Sequence, residues 1–158
     1  MTTSRSSLRS ALSEELLPAL RALGFAGPSA ISGNSLLHDF KRSRNVLTLQ
    51  LEKHGLPRFI VILANEPAEG FEAVIQRGGT VRQGQLKPRR GASTRSWFRA
   101  DPGLWQRVFG ASAANASAAV GLCASLLPEV EAWWQTELES QHITVHEVKF
   151  PGQQRAVA

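Results

Sequence analysis

Leu8, Leu12, Leu16, Leu20 and Leu23 recur at steps of four, four, four and three residues. A 3.6-residue period returns a side chain to the same face at such steps, so these positions predict one apolar stripe of an α-helix. Ser4, Ser6 and Ser7 are candidate N-caps, since a hydroxyl there accepts from the open amides of the first turn. Pro18 interrupts the stripe; it lacks an amide hydrogen, and a kink or a fresh start near Leu17 is predicted. Gly24 ends the helix, and Gly27-Pro28 turns the chain.

The period then changes to two. Residues 35–41 form a candidate strand with Leu36, His38 and Phe40 on one face. In residues 45–52, Leu47, Leu49 and Leu51 alternate with Thr48, Gln50 and Glu52, the pattern of a half-buried strand. His54-Gly55-Leu56-Pro57 supplies a turn, and residues 59–63 are apolar on both faces, as in a central strand. Residues 69–76 are either a short helix or an irregular connection, and Gly78-Gly79 precedes a weaker strand over 80–86. Trp97-Phe98 adds a short last strand of that sheet.

Asp101 and Pro102 stand where an N-cap and a first-turn proline belong, ahead of a short helix with Leu104, Trp105, Val108 and Phe109. Residues 113–139 predict a long helix kinked at Pro128, with Leu122, Leu126, Val130, Trp133 and Trp134 in its stripe. Ile143 and Val145 alternate with His142, Thr144 and His146 as a late strand, and a mobile tail is expected from Pro151. Strands flanked by helices imply one α+β domain over residues 1–150: an antiparallel sheet of about four to six strands. It is packed by an N-terminal helix and by one long and one short C-terminal helix. The expected core combines Leu12, Leu16, Leu20, Leu47, Leu49, Val61, Leu63, Leu122, Leu126 and Val130.

Charge adds a feature that the hydrophobic pattern lacks. The 158 residues carry a formal charge of +5. Arg77, Arg82, Lys87, Arg89, Arg90, Arg95 and Arg99 fall in a stretch, 73–100, that contains no acid. The rest of the chain holds 11 basic residues against 13 acids, and residues 108–148 carry five glutamates with no Lys or Arg. A bipolar surface follows. Both patches can be plain solvated faces, but six of the seven cations in the basic stretch are Arg, which pairs bidentately with carboxylate or phosphate. Trp97 adds a stacking face beside them. Those seven cations and Trp97 are therefore the candidate partner-binding residues, although Arg outnumbers Lys 14 to 4 across the whole chain.

Recognisable chemistry is absent. Cys123 is the sole cysteine, which excludes an intramolecular disulfide; among Leu122, Leu126 and Leu127 it reads as a small hydrophobe. His142 and His146 lie four apart on a strand, ~13 Å, too far for one metal. His38-Asp39 near Ser35 lacks a Gly-x-Ser-x-Gly elbow, and no glycine pattern forms a phosphate loop. No catalytic residue, metal or cofactor is expected. The longest apolar run, residues 59–64, is far short of the ~20 residues that span a bilayer. The start of the chain lacks the apolar core of a secretory signal, so a cytoplasmic location is expected.

The helix ending in Leu23-Gly24-Phe25, Phe40-Lys41-Arg42, Val46-Leu47-Thr48-Leu49-Gln50, the apolar strand 59–63, Trp105 and Trp133-Trp134 follow one another in order. In this series the chain resembles the bacterial domain-of-unknown-function family 4304, over about residues 16–134. The resemblance implies an α+β domain without an established enzymatic site, and an association with toxin–immunity loci. It supplies no site residues, and the Arg-rich loop and the strand after His142 have no counterpart in its pattern. The leading expectation is a non-enzymatic, immunity-like protein that neutralises a cognate bacterial toxin by direct protein–protein binding. The alternative is a basic nucleic-acid-binding protein that uses the Arg-rich segment, as the pI of 10.3 favours. The signatures of RNA-recognition motifs, zinc fingers and helix-turn-helix domains are absent.

Overall fold

A computed structural model describes residues 4–31, 35–89, 96–100 and 112–152. Helix α1 (Ser4–Ala11) runs into one turn of π-helix (Leu12–Leu16) and continues as α2 (Leu17–Ala22). The π turn accommodates Pro18. The amide of Leu17 reaches back to the carbonyl of Leu12, and the proline falls in the first turn of α2, where its missing N–H costs nothing. The restart expected at Leu17 is therefore found. All three candidate capping serines lie within α1 as described rather than before it. Gly24, at φ 94°, closes α2 in the left-handed conformation that glycine adopts without strain.

The strands are β1 (Leu37–Arg42), β2 (Asn45–Leu51), β3 (Arg58–Asn65), β4 (Thr80–Leu86), β5 (Phe98–Arg99) and β6 (Ile143–Lys149). They form a six-stranded antiparallel sheet in the order β1-β2-β3-β4-β6, and β5 pairs with β3. β4 takes the C-terminal half of β3 (Val61↔Leu86 to Ala64↔Gln83), while β5 takes its first two residues. The connection expected over 69–76 contains helix α3 (Phe71–Gln76). The long C-terminal helix is two helices, α4 (Ser112–Ser125) and α5 (Leu127–Thr136), with Pro128 in the first turn of the second. One device thus resolves both internal prolines. The short helix expected after Asp101 and the tail from residue 153 lie outside the described residues.

Alternation decides which face is covered. Phe40, Leu47, Leu49, Leu51, Phe59, Val61, Leu63, Leu86 and Ile143 point to one side and join Leu8, Leu12, Leu16, Leu20, Val130 and Trp133 in a single core. Fully burying one such side chain is worth ~1.5–3 kcal/mol. Gly84 in β4 makes room for the largest of them: a Cβ there would lie 2.8 Å from Cε2 of Trp133. Leu122 departs from its expected core role and is 41% exposed, and Leu126 is only partly buried. The cause is the break at Leu126, which resets the helical phase. Before it, Ala116, Ala119, Val120 and Cys123 form the buried face of α4, and Leu122 lies off that stripe. Small residues on that face let α4 approach α1 closely.

The other face of the sheet is half-buried along its centre. α3 shields one corner, where Val74 and Phe71 pack on Ala64 and Val81. Among the described residues, no helix is long and apolar enough to cross a membrane.

Candidate partner-binding surface

β5 is only two residues long, yet it fixes the position of Trp97. Phe98 pairs in register with Phe59, and their rings stack at 5.2 Å and 14° inside the core. Alternation then directs the neighbours of Phe98 away from the core. Arg99 stands opposite Arg58 in the register, and the guanidinium of Arg58 lies 5.0 Å from the ring centre of Trp97. Two cavities flank Trp97. One, about 180 Å³, is bounded by Pro88, Arg89, Arg99, Ala119 and Leu122; the other, about 280 Å³, is bounded by Leu36, Gln50, Glu52, Lys53 and Arg58.

Like charges directly opposite one another destabilise an antiparallel pair. The Arg58↔Arg99 pair is such an arrangement, and the buried Nε of Arg58 has no hydrogen-bond partner. Among the described residues, Glu52 and Glu129 are the carboxylates near this end of the sheet, and both serve backbone amides. Glu52, 4% exposed, accepts from the amides of His54 and Leu56, both at 2.8 Å, and so holds the β2–β3 turn. Burial opposes its ionisation, but those amides, with His54 and Arg58 nearby, hold the carboxyl below its usual range. Glu129 accepts from the Ser140 hydroxyl at 2.6 Å, the His142 amide at 2.7 Å and His142 Nδ1 at 2.9 Å. Burial again opposes ionisation, and these donors outweigh it to hold the carboxyl low.

The predicted basic segment divides between the two ends of β4. Arg77 and Arg82 lie at its beginning; Arg77 is ion-paired with Glu69, and Arg82 stands opposite Glu147 on β6. Lys87, Arg89, Trp97 and Arg99 gather beyond its end, and Arg90 and Arg95 lie outside the described residues. The five described cations of the segment therefore do not form one surface. Arg58 and Lys53, which the sequence did not single out, join the Trp97 group. Arg58 opens a strand whose partner there is β5, and no local pattern announces that pairing.

From Trp97 this face continues over Ile60 and Ile62, both half-buried, with Thr48 and Gln50 on β2 and Gln83 and Gln85 on β4. It offers an apolar centre, a polar border and a basic aromatic end.

The opposite end of the sheet is built differently. Arg42 donates to both carboxylate oxygens of Glu131 (2.8 and 3.1 Å), to Asn45 Oδ1 and to the carbonyl of Leu23, and lies 4.6 Å from the Phe25 ring centre. Asn45 Nδ2 donates to Asn65 Oδ1 at 2.6 Å, and Asn65 Nδ2 to Trp134 O and Glu137 Oε1. Lys41 pairs with Glu66. Here each of these charges has found a counter-charge within the chain.

The remaining candidates are structural. His38 Nε2 meets the backbone carbonyl of Ser35 at 3.1 Å, while the Ser35 hydroxyl donates to Leu37 O. Burial pushes the Cys123 thiol up to about 12, so the nucleophilic thiolate does not form. His142 precedes β6 and is engaged by Glu129, while His146 is exposed within the strand. Among the described residues, no three His, Cys, Asp or Glu side chains are grouped to hold a metal ion. Comparisons with protein-family models, with curated proteins and with solved structures find no match to this chain.

Proposed function

We propose that the chain is a non-enzymatic binding protein that docks an acidic surface of a cognate protein on the face of its sheet opposite the core, around Trp97, Arg58 and Arg99. The observation that carries this reading is the guanidinium of Arg58 held 5.0 Å from the ring centre of Trp97 at the end of the sheet. Guanidinium groups beside an indole present donors that carboxylates of a partner accept bidentately. Trp and Arg are also the residue types that dominate interface energies when they become desolvated. The resemblance to a family associated with toxin–immunity loci supplies the role, neutralising a bacterial toxin by covering its working surface, with charge speeding the encounter.

Nucleic-acid binding is the second reading, favoured by the guanidinium–indole stack, since aromatic and Arg planes also carry unpaired bases. Titration with the protein encoded by the adjacent gene, alongside gel shifts with DNA and RNA, separates the two. The expected result is a stoichiometric protein complex weakened ~10- to 100-fold by Trp97→Ala, with no retention of nucleic acid at moderate salt. A salt-steep nucleic-acid shift that Trp97→Ala abolishes transfers the function to the second reading.

A further inference from the structure

Two non-glycine residues adopt positive φ among the described residues, Ser43 at 53° and Glu137 at 54°. Glycine usually fills both kinds of position, the first residue of a two-residue hairpin turn and the residue that ends a helix. Strain of this kind clusters at ligand sites. Ser43 and Glu137 are far apart in sequence, yet they line one cavity of about 340 Å³ with Arg44, Asn45, Asn65 and Trp134. A second cavity of about 340 Å³ shares Arg44, Asn65 and Glu137 and adds Thr80, Arg82 and Glu147. The shared residues make the two a continuous groove across the end of the sheet, away from Trp97.

The groove is preorganised. Asn65 spends both amide hydrogens on Trp134 O and Glu137 Oε1 and accepts from Asn45, which fixes the Glu137 carboxylate against the wall. Arg44 is anchored by Nε donating to Glu66 O at 2.7 Å. Trp134, 7% exposed, forms part of the wall, and its buried indole N–H has no hydrogen-bond partner. Two guanidiniums, Arg44 and Arg82, thus share the groove with two carboxylates, Glu137 and Glu147. A ligand of one charge leaves half of this set opposed, whereas a ligand carrying both charges satisfies it. Each cavity lies at the small end of the ~300–1,000 Å³ typical of ligand sites, which limits the ligand to few heavy atoms.

We propose that this groove binds a free α-amino acid, with the ammonium between Glu137 and Glu147 and the carboxylate on Arg44 and Arg82. The site is independent of the docking face around Trp97.

Calorimetric titration of the full chain with L-alanine, L-glutamine and L-arginine tests it, with acetate and methylammonium as single-charge controls and glycylglycine as a longer zwitterion. At least one amino acid should bind stoichiometrically, with both controls ~10-fold weaker or more. Glu147→Gln and Arg82→Gln, at exposed positions on β6 and β4, should each weaken binding ~10-fold without lowering the melting temperature. Trp97→Ala should leave amino-acid binding unchanged, which separates this site from the docking reading. Absence of binding by all three amino acids up to ~10 mM overturns the proposal, as does binding that survives both substitutions. Tighter binding of glycylglycine overturns the assignment to a single amino acid.

Discussion

The two ends of the sheet handle charge in opposite ways. At the Asn65 end, Arg42 meets Glu131, Lys41 meets Glu66 and Arg77 meets Glu69, and asparagine amides join the set. At the Trp97 end, Arg58 faces Arg99, while the nearby carboxylates Glu52 and Glu129 serve backbone amides and His142. Charge paired within the chain ties helix to strand at one end, whereas the other end sets two arginines opposite one another beside an indole. Net charge alone misses this distinction, because a +5 chain can be balanced or unbalanced locally.

The core under both ends sets the scale. Leu49 and Val61 are fully buried between them, and Leu49→Ala or Val61→Ala should each cost ~2–5 kcal/mol in urea unfolding. Losses below ~0.5 kcal/mol at both would mean that these strands do not carry the core. Gly84→Ala should follow at ~1–3 kcal/mol, since the new methyl displaces the Trp133 indole. An unchanged midpoint would show that the indole has room to move.

Next in size is the contrast between the ends. Glu131→Gln leaves half-buried Arg42 short of its counter-charge; with both side chains reached by solvent, the cost should be about 1–2 kcal/mol. Arg58→Gln removes a cation–π contact of ~0.5–1 kcal/mol together with a repulsion of similar size, so its net effect should stay within ~0.5 kcal/mol. Equal losses at the two positions would erase the distinction between the ends.

Most of the fold is legible in the sequence because period and punctuation agree. The leucine stripe, the alternation through Leu47, Leu49 and Leu51, and the two prolines each have one cheap structural solution, and the chain adopts it. Leu122 is misplaced because the phase reset at Leu126 is a three-dimensional event, and the buried face of α4 consists of alanines that a search for large hydrophobes passes over. The surface is less legible. Trp97 and its neighbouring arginines stand out by composition, but the pairing of β5 with β3 that brings in Arg58 is non-local. The same holds for Glu52, which alternates like a solvent-facing strand residue yet turns back to cap the next loop.

Acid should act at the Trp97 end. Glu52 and Glu129 are both held below the ordinary carboxylate range. The stability that each contributes is complete above the unfolded-state value of ~4.3 and is lost as pH falls through the lower folded-state value. Glu52→Gln should therefore lower the melting temperature at pH 7 but converge on the parent as pH falls through the lowered folded-state value. A difference that stays constant from pH 7 to pH 3 would mean that the Glu52 amide bonds do not depend on its charge.

Salt should give the smallest effect, with opposite signs at the two ends. Screening shortens from ~10 Å at 0.1 M salt to ~3 Å at 1 M. The repulsion between Arg58 and Arg99 fades with it, while the contact between guanidinium and indole persists at short range. Arg58→Gln should therefore become more costly as salt rises, by a few tenths of a kcal/mol. Lys41→Gln removes an attraction to Glu66 that salt also weakens, so its cost should shrink over the same range. Double-mutant comparison at low and high salt resolves such slopes when both variants are measured against the parent in one denaturant series. Parallel slopes would show that Arg58 and Arg99 do not repel one another.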